Sequence, residues 1–232
     1  MPGVMPDTQS LRLHHYPDNA ELTADLYRRI AGLSQHCIDT KGQFSVVLAG
    51  GTTPQRLYQQ LRQLDTEWRC WHIYYGDERL LPAGDPERND AMADMAWLAH
   101  VPVPANQVHR VQAASSANAA AIAYEATLQQ ASGLDLVLLG LGEDGHTASL
   151  FPGAGTTTPD ARLAVGIDDA PKPPPQRVSL TARCLSRGEK VWFIVSGEAK
   201  RPALQAWLRG DELPAATIRP NAGVDIFTDI TL

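Results

Sequence analysis

The sequence predicts an α/β fold: a largely parallel, doubly wound sheet with helices on both faces, Rossmann-like, in a single domain. Three observations lead there. Compact apolar runs rich in Val, Ile and Leu alternate with segments whose apolar residues recur at helical spacing. The run LDLVLLGLG at 134–142 is continuous rather than alternating, the pattern of a strand covered on both faces. Several such runs end in glycines that lead into a helical pattern, giving the order strand, glycine turn, helix. A length of 232 residues fits one core, because single cores commonly reach about 250 residues before splitting.

Residues 1–10 read as a loose N-terminal tail, and 11–232 as the domain. LRLHHY at 11–16 predicts a short edge strand. In 19–42, Leu22, Leu26, Ile30 and Leu33 fall on one helical face and Gly42 ends it. FSVVLAGG follows as a strand and turn, then a helix carrying Leu57, Leu61 and Leu64; Thr52 or Thr53 suits its cap and Pro54 its first turn. WHIYYGDE at 71–78 predicts the next strand, MADMAWLA a helix, SSANAAAIAYEATLQQAS a longer helix, and LDLVLLGLG the central strand. From Pro159 to Gln176 prolines accumulate around the strand-like LAVGI, so this is a long irregular connection; too little chain follows for a second core. RVSLTA and KVWFIVSG predict strands, AKRPALQAWLRG a helix, and VDIFTDI a last strand.

Composition narrows the function classes. Apolar residues at 44% and charged residues at 20% exclude a disordered or collagen-like chain. Twenty Lys and Arg against 26 Asp and Glu leave a formal charge of -6, which opposes broad attraction to nucleic acid or an anionic membrane. Cys37, Cys70 and Cys184 are dispersed and odd in number, fitting neither a disulfide framework nor a zinc pattern, so they read as buried thiols in a reducing compartment. The histidines other than His146 lie in unrelated segments without an H-x-x-x-H pair, so no metal site is expected; adjacent His14 and His15 read as surface residues on opposite faces. MPGVMPDTQS lacks the charge and apolar stretch of a signal peptide, and no run approaches a membrane span; a cytoplasmic location is the expectation.

Four segments carry chemistry, all where strands end. AGGTTP at 49–54 lets main chain approach a ligand closely and aims unpaired N–H groups of a helix start at an anion, which makes Gly50, Gly51 and Thr52 phosphate-site candidates. It is neither G-x-G-x-x-G nor a Walker loop, so dinucleotide and nucleoside-triphosphate readings lose support. In YYGDERLLP, Arg79 offers planar donors for a phosphate or carboxylate, while Asp77 or Glu78 either holds Arg79 or accepts sugar hydroxyls. LVLLGLGEDGHTASLFPG at 136–153 is the most informative. An apolar strand feeds a glycine-rich loop holding Asp144 and His146, an imidazole suited to proton exchange near neutral pH and an acid able to orient it. VWFIVSGEAK ends a further strand and puts Lys200 at a helix start, where it supplies a cation if it lies opposite AGGTTP. Ser149 and Ser196 have no G-x-S-x-G context, which weakens a serine-hydrolase reading.

Together these segments resemble the 6-phosphogluconolactonase family, within the larger glucosamine-6-phosphate isomerase/deaminase-like superfamily. The likeness is nearly full length and in the family's order: AGGTTP for the usual S-G-G-S-T-P, GDERLLP, GLGEDGHTASLFPG, then KPPPQRVSLT and VSGEAK. Two departures stand out. Ala49 and Thr52 replace serines, which keeps a hydroxyl only at 52, and Arg88 precedes Asn89 where the family usually has Ser-Asn, so Asn89 receives no role.

The resemblance implies a sugar-phosphate lactonase domain that opens 6-phospho-D-glucono-1,5-lactone in the oxidative pentose phosphate pathway, with no cofactor. The implied partner is that small molecule, not nucleic acid or a membrane. It makes His146 the general base, Asp144 its support, Arg79 and Lys200 the phosphate cations, and Gly50, Gly51 and Thr52 the lining of the anion site, with Asp77 among the substrate contacts. A hexosamine-phosphate deaminase is the nearest alternative, but that branch usually has a Glu five residues beyond the loop histidine, where this chain has Phe151. A non-catalytic sugar-phosphate sensor would usually append a basic helix-turn-helix module, for which the chain has neither length nor charge.

Overall fold

The computed structural model describes residues 9–153 and 161–232. Six parallel strands form the central sheet in the order β1-β9-β8-β5-β2-β3: β1 (Leu11–His15), β9 (Val224–Thr228), β8 (Lys190–Val195), β5 (Leu136–Gly140), β2 (Phe44–Leu48) and β3 (Trp71–Tyr75). The helices are α1 (Asn19–Lys41), α2 (Thr52–Leu61), α3 (Asn89–Ala96), α4 (Ala117–Gln129), α5 (Ala182–Leu185) and α6 (Arg201–Leu208). Alternation within β2 and β5 separates two cores. Phe44, Val46, Leu48, Leu136 and Leu138 pack with α1, α2 and α3, whereas Val47, Val137 and Leu139 pack with α4, α5 and α6. Both sheet faces are therefore covered, which is why β2 and β5 are apolar at nearly every position.

Local chemistry sets the ends of α1: the Asp18 carboxylate accepts from the Glu21 N–H at 2.9 Å, and Gly42, at φ 75°, returns its N–H to Ile38 O at 2.9 Å. The edge-strand expectation for 11–16 holds, with β1 paired to β9 alone.

Four expectations need correction. WHIYYGDE is not one strand: after Gly76 the chain leaves the central sheet, and β4 (Asp77–Arg79) pairs antiparallel with β7 (Arg177–Leu180) in a second, three-stranded sheet completed by β6 (Ala164–Ile167). This sheet gathers the irregular Pro-rich connection, of which Pro159 and Asp160 lie outside the described residues. Residues 9 and 10 are not loose: Trp207 Nε1 donates to Gln9 Oε1 at 2.8 Å and Val224 N to Ser10 O at 2.8 Å, while 1–8 of that tail lie outside the described residues. His14 is not a bare surface residue, since its Nε2 lies 2.8 Å from Asp225 Oδ1 and its ring stacks on Phe227. Cys37 and Cys184 are buried, but Cys70 is only half-buried.

Candidate active site

The carboxyl ends of β2, β5 and β8, with β4 alongside, surround one cavity of about 400 Å³. It is lined by Gly50, Gly51, Thr52, Asp77, Arg79, His146 and Lys200, seven residues that the sequence drew from four separate segments. Asp144 stands just behind them, held to His146 rather than facing the cavity.

At the end of β2 the chain turns through Gly51, whose φ of 109° suits only glycine, and enters α2 at Thr52. Neither threonine acts as the cap; among the described residues no side chain caps the first N–H groups of α2, which leaves those donors at the cavity wall. Beyond β5, Gly142 N donates to His146 O at 2.8 Å, which closes the histidine loop. Asp144 Oδ1 accepts from the His146 N–H at 3.2 Å and is paired with His146 Nδ1. Burial pushes the Asp144 carboxyl up, but its bonds from His146 outweigh that and hold it below the usual range. The arrangement requires glycine at 142, because a Cβ there would sit 2.0 Å from His146 Nδ1 and 2.5 Å from Asp144 Oδ1. Phe151 packs against the imidazole with its ring tilted by 43°, at 4.7 Å between ring centroids.

Asp77 is half of a fixed pair. Its Oδ2 accepts from Ser149 Oγ at 2.6 Å, which ties β4 to the histidine loop, and its main-chain oxygen accepts from Asn89 Nδ2 at 2.9 Å. Glu78 is fully buried, so it contacts no substrate; its carboxylate accepts from the N–H groups of Arg79 at 2.8 Å, Asn89 at 2.7 Å and Asp90 at 2.8 Å. The Arg79 guanidinium donates to Glu87 O, while its Nε is buried without a partner among the described residues. Lys200 reaches Glu143 Oε1 at 3.9 Å across from the histidine loop.

Several lining residues received no role from sequence. Asn89 is buried and lines the cavity beside Asp77. Arg177 and Lys172 add two cations, and Ser196 a hydroxyl. Arg177 lies directly opposite Arg79 in the β4–β7 register, only 6% exposed, with its guanidinium 5.8 Å over the Phe151 ring. Burial pushes its pKa down, and Arg79 adds to that against the pull of Asp77 and Glu78. Two guanidinium groups facing each other across a strand pair are destabilising unless an anion joins them. KPPPQRVSLT carried the signal for Arg177, but its partner strand was unknown. Among the described residues, no group of three or more His, Cys, Asp and Glu side chains is placed to hold a metal ion, and no helix is long and apolar enough to cross a membrane.

A family model described as glucosamine-6-phosphate isomerases/6-phosphogluconolactonase matches residues 17–227. A 6-phosphogluconolactonase of Mycobacterium tuberculosis is 37% identical over 218 residues, covering 87% of this chain and 88% of that protein. The 6-phosphogluconolactonase of Streptomyces coelicolor is 36% identical over 242 residues, covering 94% of this chain and 91% of the relative. Among solved structures, the 6-phosphogluconolactonase of Thermotoga maritima superposes with a TM-score of 0.88 at 27% identity, covering 94% of this chain and 99% of that one. Matched by that family model over residues 17–227 and 37% identical to a relative over 87% of its length, the chain belongs to the glucosamine-6-phosphate isomerase/6-phosphogluconolactonase family.

Proposed function

We propose that this chain is a lactone hydrolase that converts 6-phospho-D-glucono-1,5-lactone to 6-phosphogluconate. The observation that carries the reading is one cavity lined at once by an Asp-supported imidazole and by Arg79, Arg177, Lys172 and Lys200 beside the start of α2. A sugar phosphate matches that division, with an anionic handle at one end and a reactive carbonyl at the other. Arg79 supports it further, because its buried Nε has no partner among the described residues, and such a nitrogen is expensive unless a ligand oxygen meets it.

In this mechanism His146, with Nδ1 engaged by Asp144, uses its other ring nitrogen to take a proton from water as the oxygen adds to C1. The C1–O bond of the ring then breaks, and the imidazolium returns the proton to the departing ring oxygen, so one lactone and one water become one carboxylic acid. Asp144 stabilises the imidazolium between the two steps. The phosphate is remote from C1, so its binding energy orients the ester rather than altering it. An ester of this kind reacts with general-base help alone, typically worth about 10²–10⁴-fold, and the scheme requires no cofactor. Phe151, packed against His146, stands where the deaminase branch usually carries a proton-shuttling carboxylate, which favours lactone opening over amine release.

Purified protein added to the phosphorylated lactone, generated in situ, is expected to speed its decay well beyond spontaneous hydrolysis and to release no ammonia from glucosamine 6-phosphate. Ammonia release without lactone hydrolysis overturns the assignment.

A further inference from the structure

Arg88 lies one layer behind the cavity, is 2% exposed, and uses all five of its N–H donors. Nε donates to Asp90 Oδ1 at 2.8 Å; one terminal nitrogen reaches Leu81 O at 3.0 Å and Arg79 O at 3.3 Å, the other Asp90 Oδ2 at 2.7 Å and Val111 O at 2.8 Å. The second nitrogen also stands 3.7 Å from the buried carboxylate of Glu78. Glu78 in turn accepts from Arg79 N and from the first N–H groups of α3. The main chain of Arg79 is thus gripped on both sides, its N–H by Glu78 and its carbonyl by Arg88. The neighbour of Arg88 in the chain, Asn89, lines the cavity and donates to Asp77.

We propose that Arg88 is a positioning residue for phosphate recognition, acting through the Arg79 main chain; this rests on the reading of Arg79 as a phosphate ligand. A guanidinium suits the task where lysine does not, because the planar fork spans Asp90, Leu81 and Val111 at once, whereas an ammonium presents its three donors from a single point. No bond among those described joins Arg88 directly to the histidine loop, whereas its bond to the Arg79 carbonyl is direct, so loosening the fork acts first on Arg79. Its effect therefore falls on binding of the phosphate end.

Arg88→Lys keeps the buried charge and provides the test. Measured well below the melting temperature of the variant, the Kd for 6-phosphogluconate by calorimetry and the KM for the phosphorylated lactone are expected to rise about three- to thirtyfold, with kcat within about twofold. In an Arg79→Ala background the same substitution is expected to cause no further rise, as a double-mutant cycle requires of a residue that acts only through Arg79. A lowered melting temperature with unchanged Kd and KM overturns the proposal, as does an equal rise in both backgrounds. If Arg79→Ala alone leaves the Kd at its wild-type value, the phosphate reading itself has failed. Should Arg88→Lys not fold, Asp90→Asn loosens the same fork while retaining the arginine; an unchanged Kd there overturns the proposal equally.

Discussion

His146 and Asp144 are two residues apart, yet their pairing depends on backbone that brings the Asp144 carboxylate to Nδ1 of the ring, with Gly142 leaving room for both. The proton transfer assigned to this pair occurs only in the transition state. His146→Ala is therefore expected to lower kcat about 10²–10⁴-fold with little change in KM, a split read from steady-state kinetics on a folded variant. Glu143 acts in the opposite sense. Its carboxylate stands 3.9 Å from Lys200 Nζ, so on the proposed reading of Lys200 it competes with an incoming phosphate for that cation. Exposed ion pairs of this kind are worth about 0.2–1 kcal/mol, so Glu143→Gln is expected to lower the Kd for 6-phosphogluconate by up to about fivefold, measured by titration calorimetry at low salt. At this scale the sequence named candidate residues but not their company. Arg177 went unassigned because only the β4–β7 register brings it opposite Arg79.

At the scale of elements, the long apolar and helical segments were legible because their periodicity is local: α1 and β5 lie where 19–42 and 134–142 predicted them. The short antiparallel sheet was not legible, since β4 and β7 have three and four residues and their pairing joins segments about a hundred positions apart. That sheet matters because it carries Asp77, Arg79 and Arg177 to the cavity. Its outer strand β6 packs so closely on the start of α4 that a Cβ at Gly166 would come within 2.3 Å of Ala117 C and 2.4 Å of Asn118 N. Both contacts are main chain and have no rotamer to yield. Gly166→Ala is therefore expected to destabilise the fold by about 1–3 kcal/mol, read as a lower urea midpoint with an unchanged m-value.

Across the whole molecule, parallel strands place their carboxyl ends on one edge of the sheet, so loops distant in sequence meet there. A ligand that bridges those loops binds only the folded state and stabilises it by mass action. Saturating 6-phosphogluconate at about 100 times its Kd is expected to add about 2.7 kcal/mol, seen as a concentration-dependent rise in melting temperature; at the same ligand concentration Lys200→Ala is expected to show a smaller rise. The amino-acid sequence alone determined the fold class, the order of the main elements and the residue types at the strand ends, because these follow from periodicity and from glycine and proline chemistry over a few neighbouring positions. Only the tertiary structure decided that Asp144 stands behind His146, that Glu78 and Arg88 form a buried clamp, and that Arg79 faces Arg177. Those contacts depend on strand register and on where separate loops converge, and neither is a local property of the chain.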